Sequence, residues 1–402
     1  MAPMLPAVAE RSATAYVATQ VTDRKAPPRQ GTRVPRSMMP NPLKRPNQAN
    51  APSSSNKRRS PSDEVSSPAD QTANTSLTIP QWYRDERPTQ RDIASSRSVC
   101  DKLSQIKIFL QKLDNAQKQN NTDTIKDVLE QIRNWIHDME HLTVQGVWLK
   151  IAKMLDVQNL PKLFHNLPGS SPMTFDIIAD AKALYRKWAR ADFDADVLRG
   201  VMLKTKALDD KYTARVDFHF YGTGDLVSGQ WWPLRICTLR DGAHGASQGG
   251  ISGEGGEGGK GAYSIVVAGQ YDDNDQGETL EYCGTPDQTK SGNMTEATKL
   301  LRDSFRTKNP VRVLRSGNNI ASKSSGGSND KKNVYLPASG YRYDGVYDIV
   351  DEKLLDAKEQ LWTFKLSRQG NQDPIRYSGP YARPSMQDLQ EWQKVKQYAR
   401  HE

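Results

Sequence analysis

The spacing of apolar residues changes near residue 200, and no other feature of the chain constrains its fold as strongly. Before this point, apolar residues recur at three- and four-residue steps, for example at Ile125, Val128, Leu129 and Ile132. After it, short runs such as "YSIVVAG" and "LWTFKLSR" stand between Gly, Pro, Asn and Asp. The first pattern is typical of amphipathic helices that bury one face, and the second is typical of short strands.

The sequence therefore predicts an α+β multidomain fold. Residues 1–92 are rich in Pro, Ser, Asn, Gln and Arg and lack a sustained apolar period, which predicts a disordered basic tail. Residues 95–200 predict a small all-α helical bundle that binds a protein partner. Residues 210–380 predict a mostly β barrel with minor helices, one of them at about 295–306, and residues 381–402 predict a C-terminal helical tail.

The net charge of +9 is concentrated in the N-terminal region. Residues 1–59 hold 11 Lys/Arg and two Asp/Glu, whereas the other 343 residues hold 45 of each. Any nucleic-acid surface in the folded part must therefore be a local patch. Two basic clusters in the tail predict a bipartite import signal and a nuclear protein, with a solvated basic tail as the alternative. Their members are Lys44, Arg45, Lys57, Arg58 and Arg59.

The cysteines and the apolar runs exclude several classes of protein. The three cysteines, Cys100, Cys237 and Cys283, are far apart and odd in number, which fits a reducing compartment and excludes a multi-cysteine zinc module. No run approaches the ~20 apolar residues of a membrane span. The N-terminus also lacks the pattern of a secretory signal. We expect neither a cofactor nor a bound metal.

Nucleotide-binding and catalytic patterns fail on their context. The glycines of "GGISGEGGEGGKGAYS" match a dinucleotide fingerprint by letter, but a strand follows them instead of a helix. Asp272, Asp273 and Asp275 offer the oxygen ligands that Mg²⁺ prefers, which leaves a modification-dependent nuclease as an alternative. Asp287 combines with the acid-x-Lys pattern of such enzymes at Asp351 and Lys353 only across a long gap, and the same tripeptide pattern recurs at Asp209 and Lys211. Since no coherent site assembles, we predict that the chain is not an enzyme.

A stripe of basic residues lies within 299–332, which holds nine Lys/Arg and two Asp/Glu. Such a stripe in a near-neutral region is typical of a surface that faces phosphates, and a solvated flexible loop is the alternative. The candidate phosphate contacts are Lys299, Arg302, Arg306, Arg312, Arg315, Lys323, Lys331 and Lys332.

Several motifs in order resemble the SRA domain (SET- and RING-associated, also called YDG). They are "GAYSIVVAGQYDDNDQGETLEYCG", "NPVRVLRS", "GYRYDGVYDIV" and "LWTFKLSR", within about residues 216–376, and Tyr343-Asp344-Gly345 is the signature of the second name. The resemblance implies binding to double-stranded DNA and extrusion of 5-methylcytosine into a protein pocket. More loosely, "HLTVQGVWLKIAKMLDV" and "DIIADAKALYRKWAR" resemble the helical N-terminal domain of transcription elongation factors, with a generic helical bundle as the alternative.

The resemblance also implies which residues form the base pocket. Tyr271 and Tyr282 would stack on the two faces of the flipped base, unless both belong to the core. The loop "YDDNDQG" is one residue shorter than the family pattern Tyr-x-Asp-Asp-x-Asp-x-Gly. Alignment from Gly277 makes Asp273 the carboxylate that accepts from the cytosine amine, whereas alignment from Tyr271 places Asn274 there, and we favour Asp273. The remaining pocket contacts would come from Ala268, Gly269, Cys283 and Gly284.

Two further loops would contact DNA. One inserts a residue into the gap left by the flipped base and here offers Gln248 and Gly249; the other keeps Asn293 but has Met294 and Thr295 in place of the family's basic pair. We predict a nuclear reader of modified cytosine that recruits histone or transcription-complex proteins through the helical bundle. The alternatives are a Mg²⁺-requiring nuclease and a chromatin or transcription scaffold that acts through the bundle alone.

Overall fold

The computed structural model describes residues 77–256, 259–268, 274–289, 291–317 and 333–398. The helices of the first half are α1 Gln81–Asp85, α2 Gln90–Ser95, α3 Arg97–Lys118, α4 Thr122–Glu140, α5 Gly146–Ala152 and α6 Phe175–Ala189, with a 3₁₀ turn at Leu160–Leu163. The predicted helical region is therefore confirmed. In the described part of the chain, no helix combines the length and the apolarity that a membrane crossing requires.

The helical region is built on the apolar stripes that the sequence predicted. Leu103 and Ile106 of α3 and Ile132 and Ile136 of α4 are fully buried in one hydrophobic cluster. The Asn121 side chain begins α4 by accepting a hydrogen bond from the Thr124 amide at 3.0 Å, which satisfies one of the free N–H groups of the first turn. Burial of one face of each helix then stabilises the bundle.

The predicted tail extends too far toward the C-terminus. Residues 77–92, which we expected to be disordered, include α1 and the start of α2. Tyr83 is buried and its hydroxyl donates to Asp156 at 3.0 Å, while the indole of Trp82 donates to the Ala189 carbonyl at 2.9 Å. These two aromatic residues anchor a segment that is too short to show a helical period. Residues 1–76, which include the proposed import signal, lie outside the described residues.

The second half is mostly strand, as predicted, with three helices among its described residues: α7 Arg235–Arg240, α8 Glu296–Thr307 and α9 Met386–Tyr398. The strands are β1 Val201–Met202, β2 Ala207–Leu208, β3 Trp231–Trp232, β4 Ile251–Glu254, β5 Gly261–Val267, β6 Asn274–Asp275, β7 Thr279–Cys283, β8 Val311–Ser316, β9 Tyr341–Asp356 and β10 Leu361–Arg368. The first two form a hairpin. The others form one sheet in the order β4-β5-β8-β9-β10-β7-β6, with β3 paired to β9.

The sheet is antiparallel except for the parallel pair of β5 and β8. Every residue of β5 and of β8 is buried, as expected for central strands that are covered on both faces. Helix α8 packs on this sheet, and it begins at Thr295, whose side chain accepts from the Thr298 amide. The described strands follow an open path whose outer members are β4 and β6. Strand β4 follows the loop with Gln248, and β6 follows the loop that the sequence assigned to the base pocket.

A buried ion network joins the helical region to the segment after β10. Asp180 of α6 is 2% exposed and accepts from Arg376 at 2.5 and 2.8 Å and from Arg383 at 3.1 Å. Arg383 also donates to Glu140 at 2.9 and 2.6 Å and to Asp388 at 2.8 Å. Burial opposes ionisation of Asp180, but the two guanidinium groups outweigh it and hold the pKa of this carboxyl well below its usual range. Buried ion pairs therefore hold the helical region and the segment after β10 together, and each charge is tolerated in the interior only because it is paired.

We expect Asp180→Asn to lower the free energy of unfolding by about 3–5 kcal/mol, because it leaves Arg376 and Arg383 buried without their shared carboxylate. Urea unfolding of the full chain measures this change. The control is Lys126→Ala, which removes an exposed pair with Asp123 at 3.8 Å and should change stability by less than about 1 kcal/mol. Equal effects of the two substitutions would contradict the importance of the network.

Candidate nucleic-acid interface

The end of the acidic loop is fixed by one buried arginine. Arg315 of β8 donates to Asp275 through two nitrogens, at 2.8 and 2.7 Å, and to the Gly277 carbonyl at 2.9 Å. Asn333 donates to the same carboxylate at 2.9 Å. Burial raises the pKa of Asp275, but the bonds from Arg315 outweigh it and the net shift is downward. Asp275 is therefore an ionised anchor of the loop.

The same arginine binds the Tyr-Asp-Gly signature. Arg315 donates to Asp344 at 2.9 Å, and Arg342 donates to that carboxylate at 2.6 and 2.9 Å. The side chains of Arg315, Asp275 and Asp344 are shielded from solvent, so two carboxylates balance two guanidinium groups in the interior. A charge in the interior is tolerated only when it is paired in this way.

The other two signature residues are also structural. Burial raises the pKa of Tyr343 to about 12, and its hydroxyl donates to Thr223 at 3.2 Å. Gly345 has φ +116°, and a Cβ there would lie 2.6 Å from the Gln372 side chain, so only glycine fits. The signature therefore supports the fold rather than forming a surface that faces DNA.

The proposed base pocket is only partly within the described residues. Gly269, Tyr271 and Asp273 lie outside them. Ala268 is half-buried directly after β5, and Cys283 is half-buried at the end of β7. The Gly284 amide donates to the Trp362 carbonyl at 2.8 Å, because the chain continues to pair with β10 there.

Tyr282 of β7 is 7% exposed and belongs to the hydrophobic cluster under the sheet. Its hydroxyl donates to the Gly250 carbonyl at 3.3 Å. The ring is thus held at both ends, by apolar packing of its body and by a hydrogen bond at its tip. A ring fixed in this way has little conformational freedom left to lose if it stacks on a base.

The loop with Gln248 and Gly249 is exposed at its tip and fastened at its backbone. Arg235 of α7 donates through Nη1 to the Gln248 carbonyl and, at 3.0 Å, to the Gly249 carbonyl. His244 Nε2 lies 3.0 Å from the Gly249 carbonyl, and its Nδ1 lies 2.8 Å from the Ser264 hydroxyl. Burial lowers the pKa of His244 to about 4, so this histidine is neutral at pH 7.

The loop with Asn293 and Met294 is organised by an aspartate. Asp287 accepts from the Thr289 amide and hydroxyl at 3.0 and 2.6 Å and from the Ser291 hydroxyl at 2.9 Å. The Thr289 hydroxyl bond is the largest cause of the low pKa of Asp287, about 2. Asn293 is exposed and Met294 is half-buried. Since both oxygens of Asp287 accept bonds within its own loop, this residue organises the turn.

The predicted phosphate contacts differ in their exposure to solvent. Lys299 and Arg306 of α8 are exposed, whereas Arg302 is half-buried and forms three hydrogen bonds to Glu352. Arg312 and Arg315 are fully buried, which corrects the prediction for both. Arg312 donates to the carbonyls of Phe218, Phe220 and Ala243, and burial lowers its pKa to about 10. Lys323, Lys331 and Lys332 lie outside the described residues.

An acidic cluster far from these loops has ligand atoms close enough for a cation. Glu140, His141 and Asp388 place their donor atoms within 4.8 Å of one another. Arg383 already binds both carboxylates. The guanidinium therefore supplies the positive charge that a metal would bring, and the cluster belongs to the ion network described above.

Sequence reasoning missed the pairing of Arg315 with Asp275 and Asp344. A signal was present, because "VRVLRS" places two arginines in a run that otherwise reads as a central strand. Charged residues are almost never fully buried unless they are paired, so a carboxylate partner was required for Arg315. The sequence alone does not identify which of the 47 acidic residues it is.

Comparison with known proteins assigns part of the chain to a family model. Residues 221–372 match the model described as SAD/SRA domain. The chain is 33% identical over 171 residues to the UHRF1-like protein of Cryptococcus neoformans var. grubii, an alignment that covers 37% of this chain and 45% of that protein. It is 31% identical over 165 residues to the E3 ubiquitin-protein ligase ORTHRUS 2 of Arabidopsis thaliana, covering 38% and 22%. The chain thus spans less than half the length of both relatives.

Among solved structures, a complex of the SUVH5 SRA domain with fully methylated CG DNA is similar to this chain. The sequence identity is 26%, and the alignment covers 39% of this chain and 99% of that one, with a TM-score of 0.31.

We expect Asp344→Asn to lower the free energy of unfolding by about 3–5 kcal/mol, since it leaves Arg315 and Arg342 buried beside a neutral amide. Asp351→Asn is the matched control, because Asp351 is exposed on the same strand and should change stability by less than about 0.5 kcal/mol. Chemical denaturation distinguishes the two. An unchanged unfolding midpoint for Asp344→Asn would refute the structural role of the signature.

We expect His244 to make stability depend on pH in a defined window. Because burial lowers its folded pKa to about 4, the unfolded chain takes up a proton near its ordinary pKa of 6.5 while the native protein does not. Its contribution to stability is complete above pH 6.5 and falls by roughly 3 kcal/mol as the pH drops to 4. In the variant His244→Asn this part of the pH dependence should vanish, which urea unfolding at a series of pH values measures.

Proposed function

We propose a function from one premise: residues 221–372 are an SAD/SRA domain, as the sequence predicted. The chain binds double-stranded DNA and holds a modified cytosine, extruded from the duplex, in a pocket between β5 and β7. It acts as a reader of 5-methylcytosine and performs no chemistry on the base. The observation that carries this proposal is the anchoring of the acidic loop through Asp275 at the point where the family pattern requires a pocket.

The anchor supports Asp273 as the carboxylate that reads the base. Asp275 and Gly277 match the last acid and the glycine of the family pattern, and both are bound by Arg315. When the family pattern is aligned backwards from Asp275 and Gly277, Asp273 matches the carboxylate that reads the base. Asn274 pairs with Glu281 on the neighbouring strand and is exposed there. A carboxylate accepts a hydrogen bond from the cytosine amine, which suits Asp273 better than an amide.

Tyr282 supports a stacking wall for the same pocket. Its hydroxyl is bonded and its ring is packed, so a base that reaches the ring meets a rigid face. Tyr271 supplies the second wall. Stacking on aromatic side chains stabilises a bound base by about 1–3 kcal/mol. This energy offsets the few kcal/mol that extrusion of a base requires.

Attraction to the backbone comes from the exposed part of the basic stripe. Lys299 and Arg306 are exposed on α8, and Lys323, Lys331 and Lys332 follow in the sequence. Phosphate contacts of this kind give binding that weakens with salt and does not depend on sequence. Selectivity for a modified base must then come from the pocket.

The remaining parts of the chain define where it acts and with which partners. The tail clusters at 44–45 and 57–59 direct the protein to the nucleus, and the helical region 95–200 recruits histone or transcription-complex proteins. The named relatives are called E3 ubiquitin-protein ligases or are similar to them, but the shared segment is only the SRA region.

Affinity measurements on the full chain test the reader function. At fixed salt, we expect duplexes with hemimethylated or fully methylated CpG to bind at least tenfold more tightly than the unmodified duplex. Tyr271→Ala and Asp273→Ala should each remove most of this preference, because stacking and amine recognition are each worth about 1–3 kcal/mol. Glu281→Ala is the control, since this exposed residue lies on the same strand as Tyr282.

Two results would overturn the proposal in different ways. Equal affinity for all three duplexes, unchanged in both variants, would leave only phosphate attraction. Cleavage of the methylated duplex that requires Mg²⁺ and stops with a chelator would identify a nuclease instead.

A further inference from the structure

We infer that Arg235 and His244 are positioning residues that hold the exposed loop 246–250 against the base pocket, and that Tyr282 links the two. This inference rests on the proposed function, because the loop acts on DNA only if the domain extrudes a base. Neither Arg235 nor His244 was a candidate from the sequence. Both act through main-chain atoms of the loop rather than through contact with DNA.

Three successive carbonyls of this loop are bound by three side chains from different elements. Arg235, on α7, donates to the carbonyls of Gln248 and Gly249. His244, which precedes the loop, lies within hydrogen-bond distance of the Gly249 carbonyl, and Tyr282, on β7, donates to the carbonyl of Gly250. The Gly250 carbonyl also accepts from the Val266 amide of β5 at 2.8 Å. A loop fastened at each of three consecutive residues has lost most of its backbone freedom before DNA arrives.

The chemistry of His244 fits a permanent donor. A carbonyl oxygen only accepts, so the proton must lie on Nε2, and Nδ1 then accepts from the Ser264 hydroxyl. The ring is fully buried, so water does not compete for either bond. Ser264 lies on β5, which connects the loop to the central strand of the sheet.

The tip of the loop stays exposed while its carbonyls are held. Ser247, Gln248 and Gly249 are all exposed. Gln248 is therefore presented on a fixed backbone, as a side chain must be if it is to fill the gap left by an extruded base. Insertion of a side chain from an ordered loop loses less entropy than insertion from a mobile loop. The hydrogen bonds to the loop carbonyls therefore contribute to the affinity for a duplex from which a base is extruded.

The hydrogen bond from Tyr282 to Gly250 joins loop 246–250 to the base pocket. The Tyr282 ring, which would stack on the base, carries the hydroxyl that binds the Gly250 carbonyl. A shift of the loop at Gly250 therefore displaces the ring, and a shift of the ring displaces the loop. A Cβ on Gly250 would lie 2.9 Å from this hydroxyl, whereas a Cβ on Gly249 would meet nothing closer than 3.5 Å. Gly250→Ala therefore disturbs the contact with Tyr282 directly.

The experiment compares variants of the full chain in binding to methylated and unmodified duplexes over a range of salt concentrations. Arg235→Met, Tyr282→Phe and Gly250→Ala should each weaken binding to the methylated duplex by roughly three- to tenfold, the effect of one or two lost hydrogen bonds. Binding to the unmodified duplex and the salt dependence of both should stay unchanged. A fluorescent base analogue beside the methylated cytosine should report less extrusion. Lys358→Met, which changes an exposed lysine, serves as the control.

The outcomes separate this inference from the proposed function. If the wild type prefers the methylated duplex and the variants keep that preference, the positioning role is wrong and the reader function stands. If Arg235→Met lowers the salt slope by about one, Arg235 is a phosphate contact and not a positioning residue. If the wild type shows no preference, the reader function itself fails. Should Arg235→Met not fold, Tyr282→Phe and Gly250→Ala decide the question, because they remove or displace only one bond.

Discussion

The pairing of one buried arginine with two carboxylates determines how this β region presents its loops. Arg315 lies on a central strand, and its guanidinium binds the end of the acidic loop through Asp275 and the signature through Asp344. Removing any member would leave a charge in the interior, which is far more costly than losing a surface ion pair. The end of the acidic loop, the central strand β8 and the long strand β9 are therefore fixed relative to one another by a single group.

The same principle joins the helical region to the β region. Asp180, Arg376 and Arg383 form a second buried set, in which residues from α6 and from the segment after β10 neutralise each other. A protein that attaches its helices in this way cannot move them freely against the sheet without exposing or separating charges. The helical region is thus fixed relative to the segment that follows β10.

The loops proposed to contact DNA are held by hydrogen bonds between side chains and the loop backbone. Asp287 organises the loop with Asn293 by accepting from the Thr289 and Gly292 amides, while Arg235 and His244 bind carbonyls of the loop with Gln248. The backbone of each loop is therefore held while Gln248 and Asn293 remain exposed.

The sequence by itself determined the helical and β halves, the positions of the main strands along the chain, the start of α8 at Thr295 and the resemblance of residues 216–376 to the SRA domain. These follow from local periodicity, capping and motif order, which are properties of neighbouring residues. Only the tertiary structure decided the pairing of Arg315 with Asp275 and Asp344, the burial of Arg312 and the bonds from Arg235 and His244. Each joins residues far apart in sequence, and a basic residue looks the same in a sequence whether it faces phosphate or a buried carboxylate. The fold alone determines which of these partners it meets.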